Sequence, residues 1–450
     1  MDGDSRGIAL VRTFGTAGVR GVFNQTQTPD QVYRLAETCA FVLGRGAYAV
    51  GWDGRKTSAL LARSVMSAVN AVGSDVNPFG VVPTPVLAFG TRSRSCLAGF
   101  SVTASHNPPE FSGVKVFNAK GMELSRPDED RIERSLVLDV MKSAGRFGRV
   151  YPDYEAVNDY VDNLVSQYEV VSNPLRIAVD CASGPGGFVT PKILRMLGHN
   201  VASVNAQVSW RFPARLPEPT GENLVDFAHM LPGMSVDFGF AHDGDADRLV
   251  MVDRLGRVVP DSVVAMIALR GLNASSGKVV LSENTSSSVQ EEAERLGFDV
   301  TRSRVGKSFA LLEKEGGVFA TEPSKIVDPK WGYWEDGINA SAMISGVLAE
   351  DRNLLERMIS QTKWHYKQVN LNVGARMPAL IQRAKEAFEA FEIAEERTLD
   401  GYKLVFEDGS WVMFRPSGTE PKTRVYCESK DESVLATLVQ EGVRCVESSL

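Results

Sequence analysis

Short apolar runs alternate with longer amphipathic stretches over most of the chain. Residues 47–52 (AYAVGW) form a run that stops at Asp53-Gly54. Residues 57–72 repeat their apolar positions at helical spacing, with Thr57 or Ser58 placed to cap the first turn. Strand signals at 75–82 and 97–103 flank a short helix at 84–91 behind Pro83. Such a βαβαβ run implies a largely parallel sheet. It ends in 101–109 (SVTASHNPP), a polar loop at the carboxyl end of a strand, where open α/β sheets place ligands.

The pattern then repeats in kind. A helix at 154–168 leads to a strand at 176–180 and a Gly-rich turn at 183–187, and then to a helix ending near Gly198. Strands at 236–241 and 249–253 flank the loop 242–248 (HDGDADR). A third unit has helices at 262–272 and 287–296, strands at 278–282 and 299–302, and a helix from Ser308. The last stretch differs: helices at 378–391 and 432–449 surround strands at 402–407, 410–415 and 423–429. Asp408-Gly409 between two apolar runs signals a hairpin. The pattern predicts three α/β units and a smaller α+β unit, with no repeat at a solenoid period and no low-complexity linker.

Composition narrows the class. The chain has 450 residues, 43% hydrophobic and 23% charged, with a net charge of −7. That excludes a disordered chain, and an acidic total argues against a general nucleic-acid binder. A locally basic pocket for a small anion remains compatible with it. The five cysteines lack C-x-x-C spacing and the five histidines lack paired-ligand spacing, so any metal site is expected to use oxygen ligands. No secretory signal is read at the N-terminus and no run is long and apolar enough for a membrane span, which points to the cytoplasm.

Three segments carry candidate chemistry. Asp243, Asp245 and Asp247 alternate, so an extended loop turns all three carboxylates to one side. Two like charges about 4 Å apart repel by about 4 kcal/mol at an effective dielectric near 20, a cost that a divalent cation removes. An EF-hand is excluded, because loop positions six and twelve are Arg248 and Arg254. Ser105 stands at a strand end beside His106, placed as a nucleophile or phosphoryl carrier. Thr103 and Asn107 occupy the glycine positions of a hydrolase elbow, against a lipase reading. Arg415, Ser417, Gly418 and Thr419 (RPSGTEP) offer a guanidinium, hydroxyls and backbone N–H groups, the parts of a phosphate cradle. Gly306-Lys307-Ser308 does not complete a P-loop, and Gly184, Gly186 and Gly187 do not complete a dinucleotide fingerprint.

In order along the chain, these segments resemble the α-D-phosphohexomutase superfamily of phosphoglucomutases, phosphomannomutases and phosphoglucosamine mutases. The likeness is carried by 14–21 (FGTAGVRG), 51–58 (GWDGRKTS), TASHNP, DGDADR and RPSGTEP. It implies four domains around a central cleft, with limits near 1–149, 150–251, 252–365 and 366–450, the first three α/β with mixed sheets. It implies a phosphoryl group carried on Ser105 and Mg²⁺ held between it and Asp243, Asp245 and Asp247. The substrate would be a small sugar phosphate, with a hexose 1,6-bisphosphate as bound intermediate and activator.

Roles follow from the same resemblance. Arg20, His106 and Lys115 would stand near the transferring phosphate, with Lys115 in proton transfer and Arg248 supporting the phosphoserine. Arg415, Ser417, Gly418, Thr419 and Arg424 would hold the distal phosphate. The sugar-reading loop departs from the family's G-E-x-S-G-H: here Glu322 and Ser324 remain to bind ring hydroxyls, but Lys325 and Ile326 replace Gly and His. Lys325 would bring a cation to the substrate, and the downstream Trp331, Tyr333 and Trp334 either reshape the cleft or pack. The expected reaction is C1–C6 phosphoryl exchange on a glucose- or mannose-type phosphate. A glucosamine phosphate is the alternative substrate, and a silent sugar-phosphate sensor or a metal-dependent phosphatase the alternative classes. A similar E-P-x-K loop among archaeal members suggests an archaeal-type protein.

Overall fold

A computed structural model describes residues 13–15, 18–137, 145–417 and 421–449. The N-terminal segment read for a signal, Thr16-Ala17 of the opening motif, and Gly418 and Thr419 lie outside the described residues. The first unit comprises β1 (Val19–Val22), α1 (Pro29–Leu43), β2 (Ala47–Trp52), α2 (Ser58–Ala71), β3 (Asp75–Val81), α3 (Thr84–Ser93), β4 (Ala98–Val102), β5 (Phe111–Asn118) and α4 (Arg126–Val137). Its sheet runs β1-β5-β4-β2-β3. β2 lies parallel to both β3 and β4, as the βαβαβ pattern predicts, but β5 returns antiparallel to β4. β5 and α1 escape the pattern for different reasons. β5 is buried on both faces around Lys115, so it does not alternate. α1 shows no run of the predicted kind and is marked only by its cap: Thr28 precedes Pro29 and forms a capping box with Gln31 in the first turn.

The second unit comprises α5 (Ala156–Val165), β6 (Arg176–Asp180), α6 (Thr190–Met196), β7 (Asn200–Val204), α7 (Val225–Met234), β8 (Phe238–Ala241) and β9 (Val250–Asp253). The third comprises α8 (Asp261–Arg270), β10 (Gly277–Ser282), α9 (Ser287–Arg295), β11 (Phe298–Ser303), α10 (Ser308–Glu315), β12 (Phe319–Glu322), β13 (Lys325–Val327), α11 (Gly337–Glu350) and α12 (Leu354–Gln361). Their sheets run β7-β6-β8-β9 and β11-β10-β12-β13. The first three strands are parallel and the fourth antiparallel in both. The segment β3-β2-β4-β5 of the first sheet has the same order and directions. One topology therefore occurs three times, though the sequence shows no repeat. Each unit places a tight corner between its third and fourth strands, and these corners carry the candidate site.

The fourth unit is an antiparallel sheet β14-β18-β17-β16-β15, made of β14 (His365–Leu371), β15 (Ile393–Arg397), β16 (Tyr402–Phe406), β17 (Trp411–Pro416) and β18 (Thr423–Ser429). Helices α13 (Met377–Ala387) and α14 (Glu432–Glu447) pack on it around Leu380, Phe388, Leu404, Phe414 and Leu438. The Asp408-Gly409 hairpin forms as predicted, with Gly409 at φ +82° and Asp408 accepting from the Ser410 N–H.

The units are joined by buried side chains. Trp331 and Trp334 pack in a core shared by the first three units, and Trp331 stacks on Phe89 of α3 at 5.0 Å. These tryptophans are packing and not a cleft wall. Their indole N–H groups and the Tyr160 hydroxyl all donate to Asp336, which also caps α11. All five cysteines are buried, and none is joined in a disulfide. Among the described residues no helix is long and apolar enough to cross a membrane.

Candidate active site

The corner between β4 and β5 holds Ser105, that between β8 and β9 holds Asp243, Asp245 and Asp247, and that between β12 and β13 holds Ser324. Each corner contains a non-glycine residue in the left-handed region: Ser105 at φ +49°, Ala246 at +59° and Ser324 at +61°. Such residues cost about 1–3 kcal/mol each and persist where surrounding contacts over-determine them.

The first two corners meet. Ser105 Oγ donates to Asp243 Oδ2 at 2.7 Å and lies 3.3 Å from His106 Nδ1. Gly244 permits the approach, since a Cβ there would stand 2.5 Å from the Ser105 carbonyl oxygen. Gly184, in the expected strand-to-helix turn, does the same behind the metal-type loop: its Cβ would meet the Gly244 carbonyl at 2.4 Å. Neither close approach is marked in the sequence beyond the glycine itself.

Asp243, Asp245 and Asp247 are buried, with one ligand oxygen from each within 4.8 Å of the others. Asp245 Oδ1 and Asp247 Oδ1 are buried without a hydrogen-bond partner. Burial, with Asp247 and Asp245 alongside, pushes the Asp243 carboxyl well above the usual range. Orphaned carboxylate oxygens and a carboxyl that resists ionising are what a hard divalent cation relieves, so the residues present fit Mg²⁺.

Lys115, on β5, supplies the nearest cation. Its Nζ donates to Asp245 Oδ2 at 2.9 Å and also bonds Asp247. Burial lowers its affinity for a proton, but Asp245 and Asp247 outweigh burial and hold the ammonium above the usual lysine range. Asp245 is driven low despite burial, by Lys115 and by Thr84, whose hydroxyl donates at 2.6 Å. Arg20, on β1, reaches Asn107 Oδ1 at 3.0 Å and lies 3.5 Å from His106 Nδ1, with its Nε buried and unpartnered. Burial first, then Arg248, Arg20, Lys325 and Lys115, keep His106 neutral. Arg248 stands 4.0 Å from Asp243 and 3.8 Å from Glu218. Ser105, His106, Arg20, Lys115, Arg248 and the three aspartates thus share one buried centre.

The third corner faces this centre. Leu249 N–H bonds the Ser324 carbonyl at 2.8 Å. Lys325 pairs with Glu335 at 2.5 Å, and burial with the added carboxylates Glu322, Asp247 and Glu123 raises Glu335 to about 7. Neither Glu335 nor Glu123 stands in a motif, so the sequence alone gave no reason to name them. The Glu322 carboxylate receives the N–H groups of Gly306 and Ser308 and the Ser308 hydroxyl, and so secures the start of α10. Ser324 Oγ donates to the neighbouring Pro323 carbonyl. In the fourth unit Arg415 and Arg424 are direct cross-strand partners, a like-charge pairing that is unfavourable without an anion. Asp400 receives Arg415 Nε at 2.7 Å. Ser417 N–H bonds the Lys422 carbonyl.

Three equivalent α/β sheets with converging corners, closed by an antiparallel fourth domain, define the α-D-phosphohexomutase architecture. The chain belongs to the phosphoglucomutase/phosphomannomutase family. It matches the models of alpha/beta/alpha domain I over residues 11–137, domain II over 158–256 and domain III over 259–364, and of the C-terminal domain over 369–444. That family comprises isomerase enzymes, the sugar-phosphate mutases. The chain is 36% identical to the "Probable phosphoglucosamine mutase" of Methanopyrus kandleri, covering 96% of this chain and 98% of that protein. It is also 36% identical to the phosphopentomutase of Thermococcus kodakarensis, covering 94% and 95%. A solved phosphoglucomutase/phosphomannomutase family protein from Burkholderia thailandensis superposes with a TM-score of 0.87 at 23% identity, covering 97% of each chain. The Aspergillus fumigatus N-acetylphosphoglucosamine mutase shares the fold at a TM-score of 0.59 and 14% identity, covering 98% of this chain and 96% of its own, and was solved with GlcNAc-6P and magnesium.

Proposed function

We propose that this protein is a Mg²⁺-dependent mutase that moves a phosphoryl group between C1 and C6 of a hexose phosphate, with Ser105 as the carrier. The observation that carries the reading is Ser105 Oγ bonded to Asp243 inside a buried carboxylate triad with two unpartnered oxygens. When bound, Mg²⁺ would withdraw charge from the phosphoryl oxygens. Asp243, Asp245 and Asp247 would hold it, while Arg20 and Arg248 neutralise the oxygens turned away from it. Transfer breaks the Oγ–P bond and forms an O–P bond to a sugar hydroxyl; the Lys115 ammonium, held protonated by Asp245 and Asp247, would relay the proton, giving one to the freed Ser105 Oγ and taking up the one the sugar hydroxyl loses. The bound 1,6-bisphosphate reorients and returns its other phosphoryl group to Ser105. Arg415, Ser417, Gly418, Thr419 and Arg424 would grip the distal phosphate in either orientation. Burial keeps water from the phosphoserine, so transfer outruns hydrolysis.

Intact mass should show one added phosphate on part of the protein, lost in Ser105→Ala together with mutase activity. A fully active Ser105→Ala enzyme would refute the mechanism. Free phosphate without isomerised sugar would identify a phosphatase, and binding without turnover a sensor.

The glucose/mannose type is the first substrate reading. The second, glucosamine phosphate, is supported by the 36% identity to the "Probable phosphoglucosamine mutase" of Methanopyrus kandleri. Comparing kcat/KM for glucose, mannose, glucosamine and ribose phosphates on one preparation decides between them.

A further inference from the structure

We infer that Asp53, Arg55 and Thr103 are positioning residues that lock the Ser105 corner for phosphoryl transfer, an inference that rests on the mutase reading above. Arg55 is fully enclosed, and its guanidinium collects backbone carbonyls from the loop it faces. Nη2 donates to the carbonyls of Ser105 at 2.7 Å and Asn107 at 2.6 Å. Nη1 donates to those of Pro108 at 2.6 Å and Phe111 at 3.3 Å. Nε donates to Asp53 Oδ2 at 3.0 Å. The loop is therefore curled around a rigid fork of donors, a geometry a lysine cannot reproduce.

Asp53 completes the clamp from below. It receives the Arg55 N–H, the Ser58 hydroxyl at 2.6 Å and the Thr103 hydroxyl at 2.7 Å. Thr103 Oγ1 in turn accepts the Ser105 N–H at 2.8 Å. Ser105 is thus fixed at both its N–H and its carbonyl, on either side of its left-handed φ. Those contacts over-determine the strained conformation, and that conformation aims Oγ at Asp243. The Phe212 ring of the second unit lies 5.1 Å from the guanidinium and seals it. The clamp touches no carboxylate of the triad and no residue of the sugar-reading loop; it reaches the site through Ser105 and through Asn107, whose side chain receives Arg20.

Thr103→Val tests this, because valine keeps the buried shape and removes only the hydroxyl. A loosened serine should cost about a hundredfold in kcat with KM unchanged, since small misplacements of a reacting group act at that scale. The rate at which glucose 1,6-bisphosphate phosphorylates Ser105, read by intact mass, should fall in parallel. Thr103→Ser should restore both. Arg55→Lys, which keeps the charge without the fork, is the second variant, with the same kcat-only loss expected. Wild-type kcat in Thr103→Val, a loss confined to KM, or losses in both variants that only track unfolded protein would overturn the clamp. Ser105→Ala, run alongside, separates the two claims: if it is inactive the mutase reading stands whatever the clamp variants do.

Discussion

Replacing Lys115 by methionine keeps the reach and apolar bulk of the side chain and deletes its charge. In the native centre that ammonium lies 2.9 Å from Asp245 and also bonds Asp247. Without it, three buried carboxylates with ligand oxygens within 4.8 Å of one another have no cation between them. Two like charges at about that separation repel by roughly 3–4 kcal/mol at an effective dielectric near 20. Removing one partner of a buried ion pair costs about 3–5 kcal/mol by mutational precedent. Bound Mg²⁺ would supply the missing positive charge, so the ion should relieve in the variant a cost that Lys115 already relieves in the native protein. Relief of even a third of it corresponds to about tenfold tighter Mg²⁺ binding. Calorimetric titration with MgCl₂ measures this directly, and melting midpoints with and without the ion give an independent reading. Lys115→Met should melt lower than the native protein in chelator, gain more from Mg²⁺, and lose turnover. Equal Mg²⁺ affinities and equal ion-induced shifts would refute the argument, because Lys115 and the cation would then not share the same carboxylates.

Three further outcomes follow from single contacts. Gly244→Ala puts a Cβ 2.5 Å from the Ser105 carbonyl, a backbone atom that cannot swing aside, so turnover should fall about a hundredfold and the melting midpoint should drop with an overpacking cost of about 1–3 kcal/mol; steady-state kinetics and a thermal melt check both. Asp336→Ala removes the cap of α11 and strands the Tyr160, Trp331 and Trp334 donors, which at about 1–3 kcal/mol per stranded group should lower the melting midpoint far more than a surface change does. His199 is lowered to about 4 by burial, below its unfolded value near 6.5, so it contributes stability above pH 6.5 that is lost as the pH falls toward 4. Urea midpoints across that range should flatten in His199→Gln.

The parts legible in the sequence are those with local causes. β2 and β18 occupy the predicted ranges, and the Asp408-Gly409 hairpin forms as read, because apolar runs bounded by turn residues need no distant partner. β13, β14 and β15 were invisible: they are short or exposed, and their pairing with β12, β18 and β16 selects them. Within the site, alternation in HDGDADR pointed to three convergent carboxylates, and the structure gathers them. Glu322 shows the opposite case. Its place in a motif suggested a sugar contact, but nothing local announced that its carboxylate also receives Gly306 and Ser308.

Sequence by itself determined the chemical vocabulary of this protein: a serine beside a histidine, an alternating acidic loop, a guanidinium-and-hydroxyl turn, and units of αβ character in a set order. Those follow from residue types at short separations, where the chain's own geometry limits what they can do. Only tertiary structure decided that Ser105 and Asp243 touch, that Lys115 stands between Asp245 and Asp247, and that Glu335 pairs with Lys325. It also disclosed one sheet topology used three times, each copy with a left-handed residue at the corner before its antiparallel strand. The reason is physical. Burial raises the cost of an unpaired charge, and only the packing of separate sheets decides which charges are buried together.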